Sequence, residues 1–151
     1  MDIRAGVLGS DEDQCVGLWL DALVQRDGHV DALSVGARAH EKFTRQIVRF
    51  AVLGPGMNGF ALTVDGGEDV ARLELLALAP HKFGQGGGRA LMVDALLTAA
   101  QGGYTRFELD VREGNTRAIR LYESAGLRQI GLGRDHPLGG APMLTMACSL
   151  L

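Results

Sequence analysis

A glycine-rich loop between a predicted strand and a predicted helix is the stretch of this sequence with the clearest chemical meaning. The strand Ala71 to Ala79 ends at Pro80, and HKFGQGGG leads into a helix from about Gly88 to Ala100. A helix entered through glycines presents backbone N–H groups at the positive end of its dipole, and glycine lets an anion approach the backbone closely. The pattern predicts a diphosphate site over Gly84 to Arg89, where the Arg89 side chain either contacts phosphate or stays solvated.

The loop does not match the two common nucleotide-binding signatures. Counting GxGxxG from Gly84 and Gly86 places Arg89 at the third glycine position, and no GK[ST] follows. A Rossmann-type binder and a P-loop protein are therefore disfavoured. Taken alone, the loop is a weak signal, and a merely flexible turn would be the better interpretation.

A second cluster lies downstream at a fixed spacing. Its members are Leu109, Val111, Asn115, Ala118, Leu121, Tyr122, Gly126 and Leu127. Together with the strand end at Leu78 to Pro80 and the loop glycines Gly86 and Gly88, it resembles the GNAT superfamily of N-acetyltransferases. Two spaced motifs in the right order are more specific than either alone. The sequence departs from the family pattern at Phe83, where Arg or Gln is usual, and at Leu127, where Phe is usual.

The resemblance implies an α/β fold, an α+β mixed and mostly antiparallel sheet with helices on both faces and splayed strands 4 and 5. It also implies one domain over residues 1–151 and transfer of an acetyl group from acetyl-CoA to a primary amine. The amine would attack directly, through a tetrahedral intermediate. A non-catalytic acyl-CoA sensor of the same fold is the alternative, and the Phe83 departure favours it while Tyr122 counts against it.

The resemblance also implies the positions of the cofactor contacts. Pantetheine would lie between the splayed strands and pair with backbone, while Lys82 or Gln85 would compensate for Phe83. Asn115 is expected to cap its helix as well. The residues expected to contact the cofactor are Leu76, Ala77, Leu78, Phe83, Gly84, Gln85, Gly86, Gly87, Gly88, Arg89, Asn115, Ala118 and Tyr122.

Two side chains are predicted to carry proton transfers. Tyr122 would protonate the leaving thiolate, because a phenol is protonated at neutral pH; its alternative role is that of a core aromatic. An alkylamine is deprotonated in about one of a few thousand molecules at pH 7, a penalty of about 4.6 kcal/mol, so a base is expected. Glu74 is the candidate base, unless it only pairs with an Arg of a neighbouring strand. Further candidates are His81, His136, Glu108 and Asp110.

The elements that position these residues follow β-α-α-β-β-β-α-β-α-β-β. Ser10 is predicted to cap a first helix with Cys15, Leu18, Trp19, Ala22 and Leu23 on its apolar face. A second helical stretch would point Leu33, Ala37, Phe43 and Ile47 inward. Predicted strands are Asp2 to Val7, Ile47 to Leu53, Phe60 to Val64, Ala71 to Ala79, Phe107 to Val111, Gln129 to Gly133 and Met143 to Ser149.

Composition limits the partners. A net charge of -3 gives no reason to expect nucleic acid or an anionic membrane, and no run approaches a membrane span of ~20 apolar residues. Cys15 and Cys148 lack metal spacing, so no metal site is expected, and both are interpreted as buried thiols of a reducing compartment. Because the N-terminal residues lack the apolar stretch of a signal peptide, a cytoplasmic location is the default expectation. The acceptor, a small-molecule or peptide amine, would be shaped by Trp19, Asp21, Arg26, Asp27, Phe43 and the loop 134–140. The sequence leaves open a monomer or a homodimer.

Overall fold

The computed structural model describes residues 2–28, 30–134 and 142–151. The elements follow the predicted order: β1 (Asp2–Ala5), α1 (Glu12–Asp27), α2 (Ala32–Lys42), β2 (Ile47–Gly54), β3 (Gly59–Asp65), β4 (Val70–Leu78), a 3₁₀ turn (Pro80–Lys82), α3 (Gly87–Gln101), β5 (Arg106–Arg112), α4 (Thr116–Ser124), β6 (Arg128–Arg134) and β7 (Met143–Ser149). Across these ranges, no helix is long and apolar enough to cross a membrane.

All seven strands form one sheet in the order β1-β2-β3-β4-β5-β7-β6. Every neighbouring pair is antiparallel except β4 and β5, which are parallel. That parallel pairing joins only Val70–Leu73 to Arg106–Leu109, although both strands continue beyond it. The splayed strands 4 and 5 are thus confirmed, and they leave a gap at the carboxyl ends of both strands.

Helices cover both faces of the sheet, as predicted. On one face, α1 and α2 close a core around Phe43, Phe50 and Phe60, where aromatic rings contact one another. On the other face, α3 and α4 close a core that includes Leu91 and Tyr122. Because the gap between β4 and β5 passes through the sheet, it connects these two faces.

A bulge in β4 changes which side chains face each core. Leu62 of β3 pairs with Leu75 and the next residue, Thr63, pairs with Leu73, so Glu74 is an extra residue in β4. Leu73 therefore belongs to the α3/α4 core, whereas Leu75 belongs to the α1/α2 core. Strict alternation would have placed both on one face, and no local sequence pattern indicates the bulge.

Three local predictions were wrong. Asp11, not Ser10, is the residue before α1, and its carboxylate accepts from Val7 N–H at 2.8 Å instead of capping the helix. Leu33 is 88% exposed and Ala37 is also exposed, because the inward face of α2 consists of Gly36 and Ala39. Phe43 is buried as predicted.

Candidate active site

A cleft of about 640 Å³ opens where β4 and β5 diverge. One end lies beneath α1, and the other runs between the loop before α3 and the first turns of α4. Its lining residues are Trp19, Ala22, Leu23, Gln25, Arg26, Leu73, Glu74, Leu75, Leu76, Ala77, Leu78, Phe83, Gly84, Gly86, Gly87, Gly88, Arg89, Leu109, Asp110, Val111, Arg112, Asn115, Arg117, Ala118, Leu121, Tyr122 and Met143. The cleft therefore brings together nearly all the residues predicted from the sequence.

The loop at the far end of the cleft has the backbone of an anion site. Gly84 and Gly86 have φ values of 76° and 84°, a region that other residues rarely adopt, and the space where a Cβ on Gly84 would lie is open. Ala90 N–H donates to Gly86 O at 3.0 Å. The N–H groups of Gly87, Gly88 and Arg89 precede that bond and have no acceptor within the helix. This arrangement fits a diphosphate.

The next two glycines are required for a different reason. A Cβ on Gly87 would lie 2.8 Å from Leu53 Cδ2, and one on Gly88 would lie 3.0 Å from Leu121 Cδ2. Glycine at these positions lets the first turn of α3 pack against the sheet and α4. The sequence argument attributed all the loop glycines to ligand approach, whereas packing accounts for Gly87 and Gly88.

Arg117 supplies a cation beside Phe83, the position that departs from the family pattern. Its guanidinium carbon lies 4.6 Å from the centroid of the Phe83 ring, and both residues line the cleft. Sequence reasoning missed Arg117. A signal existed, since a cation in the first turn of a helix opposes the helix dipole and calls for another explanation.

Lys82 and Gln85, which were expected to compensate for Phe83, lie outside the cleft. Lys82 and Gln85 line a separate small pocket of about 50 Å³, and Gln85 Nε2 donates to His81 O at 2.9 Å. Arg89 donates to Ser124 O at 3.2 Å and to Ser124 Oγ at 3.1 Å, at the end of α4. Arg117 is therefore the charged side chain that stacks beside the loop.

Tyr122 lies deep in the cleft, with 8% of its surface exposed. Burial raises its pKa to about 12, because a phenolate there would lose its hydration, while the nearby Arg26 acts in the opposite direction. Its hydroxyl makes no hydrogen bond to any residue that the structure describes. The phenol is thus fully protonated at neutral pH and retains a donor for a ligand in the cleft.

The strand and helix positions predicted to contact a cofactor also line the cleft. The backbone of Leu76 to Leu78 pairs with β3 on one edge and lacks a β5 partner on the other. Asn115 caps α4, because its Oδ1 accepts from Ala118 N–H at 3.3 Å. This open edge of β4 offers hydrogen-bonding groups to an extended ligand.

Glu74 lines the cleft but is also held by two cations. Its carboxylate lies 2.9 Å from Arg45 Nη1 and 3.4 Å from Lys42 Nζ, and its side chain is 15% exposed. Both partners belong to the end of α2 and the turn after it. Glu74 thus forms ion pairs, although its arginine partner lies in a turn and not on a neighbouring strand as the alternative had it. The carboxylate still lies at the cleft wall, where a base is needed.

The other candidate bases differ in whether they line the cleft. Asp110 lines the cleft, whereas Glu108 does not and pairs with Arg72 and Arg106. His81 is exposed and outside the cleft, and His136 lies outside the described residues. Asp110 pairs with Arg72 at 2.8 Å and accepts from Thr145 Oγ1 at 2.8 Å.

The residues expected to shape an acceptor pocket are only partly brought together. Trp19 and Arg26 line the cleft, while Asp27 pairs with Arg26 and Phe43 belongs to the α1/α2 core. Asp21 is exposed on α1 and the loop positions 135–140 lie outside the described residues. Arg112 and Met143 line this end as well, and the sequence reasoning did not single them out.

Comparison with known families and proteins agrees with this geometry. Residues 10–127 match the family described as the Acetyltransferase (GNAT) family. An uncharacterised N-acetyltransferase of Mycobacterium tuberculosis (strain ATCC 25618 / H37Rv) is 35% identical over 114 residues, which are 71% of this chain and 73% of that protein.

Solved structures share the fold over nearly the whole chain. The ribosomal-protein-S18-alanine N-acetyltransferase from Escherichia coli has a TM-score of 0.74 at 23% identity, covering 99% of this chain and 93% of that one. A putative acetyltransferase from Salmonella typhimurium, solved with its cofactor acetyl-CoA, has a TM-score of 0.76 at 18% identity, covering 100% and 94%. A Bacillus subtilis acetyltransferase in complex with CoA has a TM-score of 0.75 at 18% identity, covering 99% and 98%.

Proposed function

Because the chain belongs to the GNAT acetyltransferase family, we propose that it transfers the acetyl group of acetyl-CoA to a primary amine of a small molecule or peptide. The observation that carries this proposal is the continuous cleft from the gap between β4 and β5 to the N-terminus of α3. An extended molecule with an amide-containing arm and a diphosphate would find matching groups in that order. The one sheet from β1 to β7 supports treating residues 1–151 as a single acetyltransferase domain.

The geometry of the cleft supports a proposal for the residues that would hold the donor. The open edge of β4 at Leu76 to Leu78 would pair with the amide groups of pantetheine. The backbone N–H groups of the loop from Gly84 to Arg89 would bind the diphosphate, with Arg117 adding a positive charge. Acetyl-CoA supplies an activated thioester, so the protein needs only to orient the thioester and to transfer protons from the amine and to the sulfur.

Direct attack by the amine is favoured over an acyl-enzyme. Neither Cys15 nor Cys148 is among the residues lining the cleft, and burial raises the pKa of both thiols, that of Cys15 to about 12. A thiol that stays protonated is a poor nucleophile. In the proposed reaction a nitrogen–carbon bond forms, the carbon–sulfur bond breaks, and the sulfur takes up a proton.

Two residues would move the protons in this reaction. Tyr122 would donate to the departing sulfur, since its phenol is protonated and its hydroxyl has no described protein partner. Glu74 would take a proton from the amine, directly or through water, with Asp110 as the second carboxylate on the cleft wall.

The experiment measures acetyl-CoA binding and turnover separately. At roughly a hundred times its dissociation constant, acetyl-CoA should stabilise the protein by about 2.7 kcal/mol, seen as a higher melting temperature, whereas NAD should not. Thiol release should then require an added amine from a varied panel. Binding without release for every amine would identify a non-catalytic acyl-CoA sensor, and the absence of binding would overturn the proposal.

A further inference from the structure

The acceptor end of the cleft lies on the α1/α2 face of the sheet. Phe107, Leu109 and Val111 of β5 point into the α3/α4 core. Because side chains alternate along a strand, Asp110 and Arg112 point to the opposite face, where α1 covers the cleft. This end is therefore bordered by charged groups, and their pairing determines which acceptor it fits.

The carboxylates at this end are already compensated. Glu74 pairs with Lys42 and Arg45, and Asp110 pairs with Arg72 at 2.8 Å. A cationic substrate approaching them would compete with cations supplied by the protein itself. The two carboxylates thus offer little net attraction for a polyamine.

Arg112 differs from these two carboxylates in its ion pairing. It is half-buried at the end of β5, lines the cleft, and its guanidinium has no carboxylate partner within the parts of the chain that the structure describes. A half-buried cation without a partner loses hydration and gains little in return. A ligand carboxylate would compensate it, and the planar guanidinium fits a carboxylate through two parallel hydrogen bonds.

Arg26 borders the same end but is largely neutralised by its neighbour. Its Nε lies 3.0 Å from Asp27 Oδ1 and its Nη2 lies 3.2 Å from Asp27 Oδ2. The pKa of Asp27 is lowered first by this hydrogen bond to Arg26 and also, more weakly, by the charge of Arg112. The charge of Arg112 is thus felt at the end of α1, where Asp27 is already paired with Arg26.

We propose that the acceptor is a primary amine that also carries a carboxylate, as an amino acid does, and that Arg112 binds this carboxylate. The inference rests on the proposed function and adds the substrate class. Arg112 then serves as a specificity-determining residue that holds the acceptor while its amino group faces the thioester.

The test compares amines that differ only in the anionic group. L-amino acids are assayed beside their α-amides, with spermidine as a cationic amine and an amino sugar phosphate as a phosphate-bearing amine. The amide has the more readily deprotonated amino group, which biases the assay against the proposal. We nevertheless expect kcat/KM to be at least ~10-fold higher for the amino acid, which corresponds to about 1.4 kcal/mol, because the amide cannot form the charged hydrogen-bonded pair. The amino acid alone should also raise the melting temperature of the CoA-bound protein.

The matched variants are Arg112→Gln and Arg38→Gln, the latter on the exposed surface of α2. Arg112→Gln should remove the preference for the carboxylate through KM and abolish the added thermal shift, while leaving acetyl-CoA binding intact. Arg38→Gln should change neither. Equal rates for acid and amide, preference for spermidine or the phosphate, or a preference that persists in Arg112→Gln would overturn the inference. Those outcomes would leave the acetyltransferase function standing, whereas no thiol release with any amine would overturn that function first.

Discussion

The hydroxyl of Tyr122 combines burial with the lack of a described protein partner, and the proposed role as an acid requires both. Because its pKa is raised to about 12, it stays protonated throughout the physiological range. Tyr122→Phe should lower kcat by roughly 10²–10⁴ with little change in KM.

The control for this variant is Tyr104→Phe. Tyr104 donates to Asp65 at 2.7 Å and is not among the cleft residues, so its loss should affect stability and not kcat. Unchanged turnover in Tyr122→Phe, with chemistry rate-limiting, would return Tyr122 to a packing role.

Glu74 has two candidate roles, general base and ion-pair partner, and one substitution separates them. Glu74→Gln removes the basic group and leaves Lys42 and Arg45 without their carboxylate, so stability should fall in either case. If Glu74 is the base, kcat/KM should also fall at neutral pH and recover in part toward the pKa of the amine, where solvent supplies the free base.

Glu41→Gln is the comparison, because it removes the other carboxylate partner of Arg45 and does not touch the cleft. Measured side by side, both variants should melt earlier and only Glu74→Gln should shift the pH profile. Profiles parallel to that of the unmodified protein would exclude Glu74 as base and make Asp110 the next candidate.

Arg117 is expected to act on the donor through its charge. Arg117→Gln should raise the dissociation constant of acetyl-CoA by roughly tenfold and reduce its salt dependence, as expected for a lost charged hydrogen bond. Acetyl-pantetheine, which has no diphosphate, should bind both forms alike. Arg120→Gln, on the exposed surface of the same helix, serves as control. An equal effect from both variants would mean that the dissociation constant of acetyl-CoA depends only on the overall charge of the helix and not on a contact from Arg117.

At the scale of elements, two properties of the residue before α3 can be tested separately: its backbone conformation and its charge. Gly86 has a φ of 84°, which Asn and Asp tolerate better than other side chains. Gly86→Asp and Gly86→Asn therefore impose similar strain, and only Asp adds a negative charge where the diphosphate should bind.

We expect Gly86→Asp to lose the thermal shift produced by acetyl-CoA and Gly86→Asn to keep a large part of it. Titration calorimetry gives the two dissociation constants directly. Normal binding by a folded Gly86→Asp protein would show that the diphosphate lies elsewhere.

At the scale of the whole molecule, an acid-sensitive link joins β1 to the start of α1. Arg4 lies 2.8 Å from Asp11, and the hydrogen bonds from Arg4 and then from Val7 N–H lower the pKa of Asp11 to about 2. A carboxylate with a depressed pKa stabilises the fold above its unfolded pKa of about 4, and this contribution is lost as the pH falls toward 2.

Asp11→Asn should therefore lower the melting temperature at pH 7 by roughly 2 to 4 °C. The difference from the unmodified protein should shrink between pH 4 and pH 2, as Asp11 itself becomes protonated. A difference in melting temperature that stayed constant over that range would mean that the charge of Asp11 does not contribute to stability and that its packing and hydrogen bonds do.

The sequence determined the order of elements, the family motifs and the chemical types at the site. These are local properties: glycines before a helix, Asn115 as a cap and the Leu121-Tyr122 pair can all be read from spacing. Only the tertiary structure decided what depends on neighbours distant in the chain. The bulge at Glu74 required the register with β3, and the pairing of Arg117 with Phe83 required α4 to lie against the loop. The lack of a carboxylate partner for Arg112 among the described residues likewise became apparent only from the cleft that α1, β4 and β5 enclose. A side chain's electrostatic partners are set by packing, which spacing along one chain does not encode.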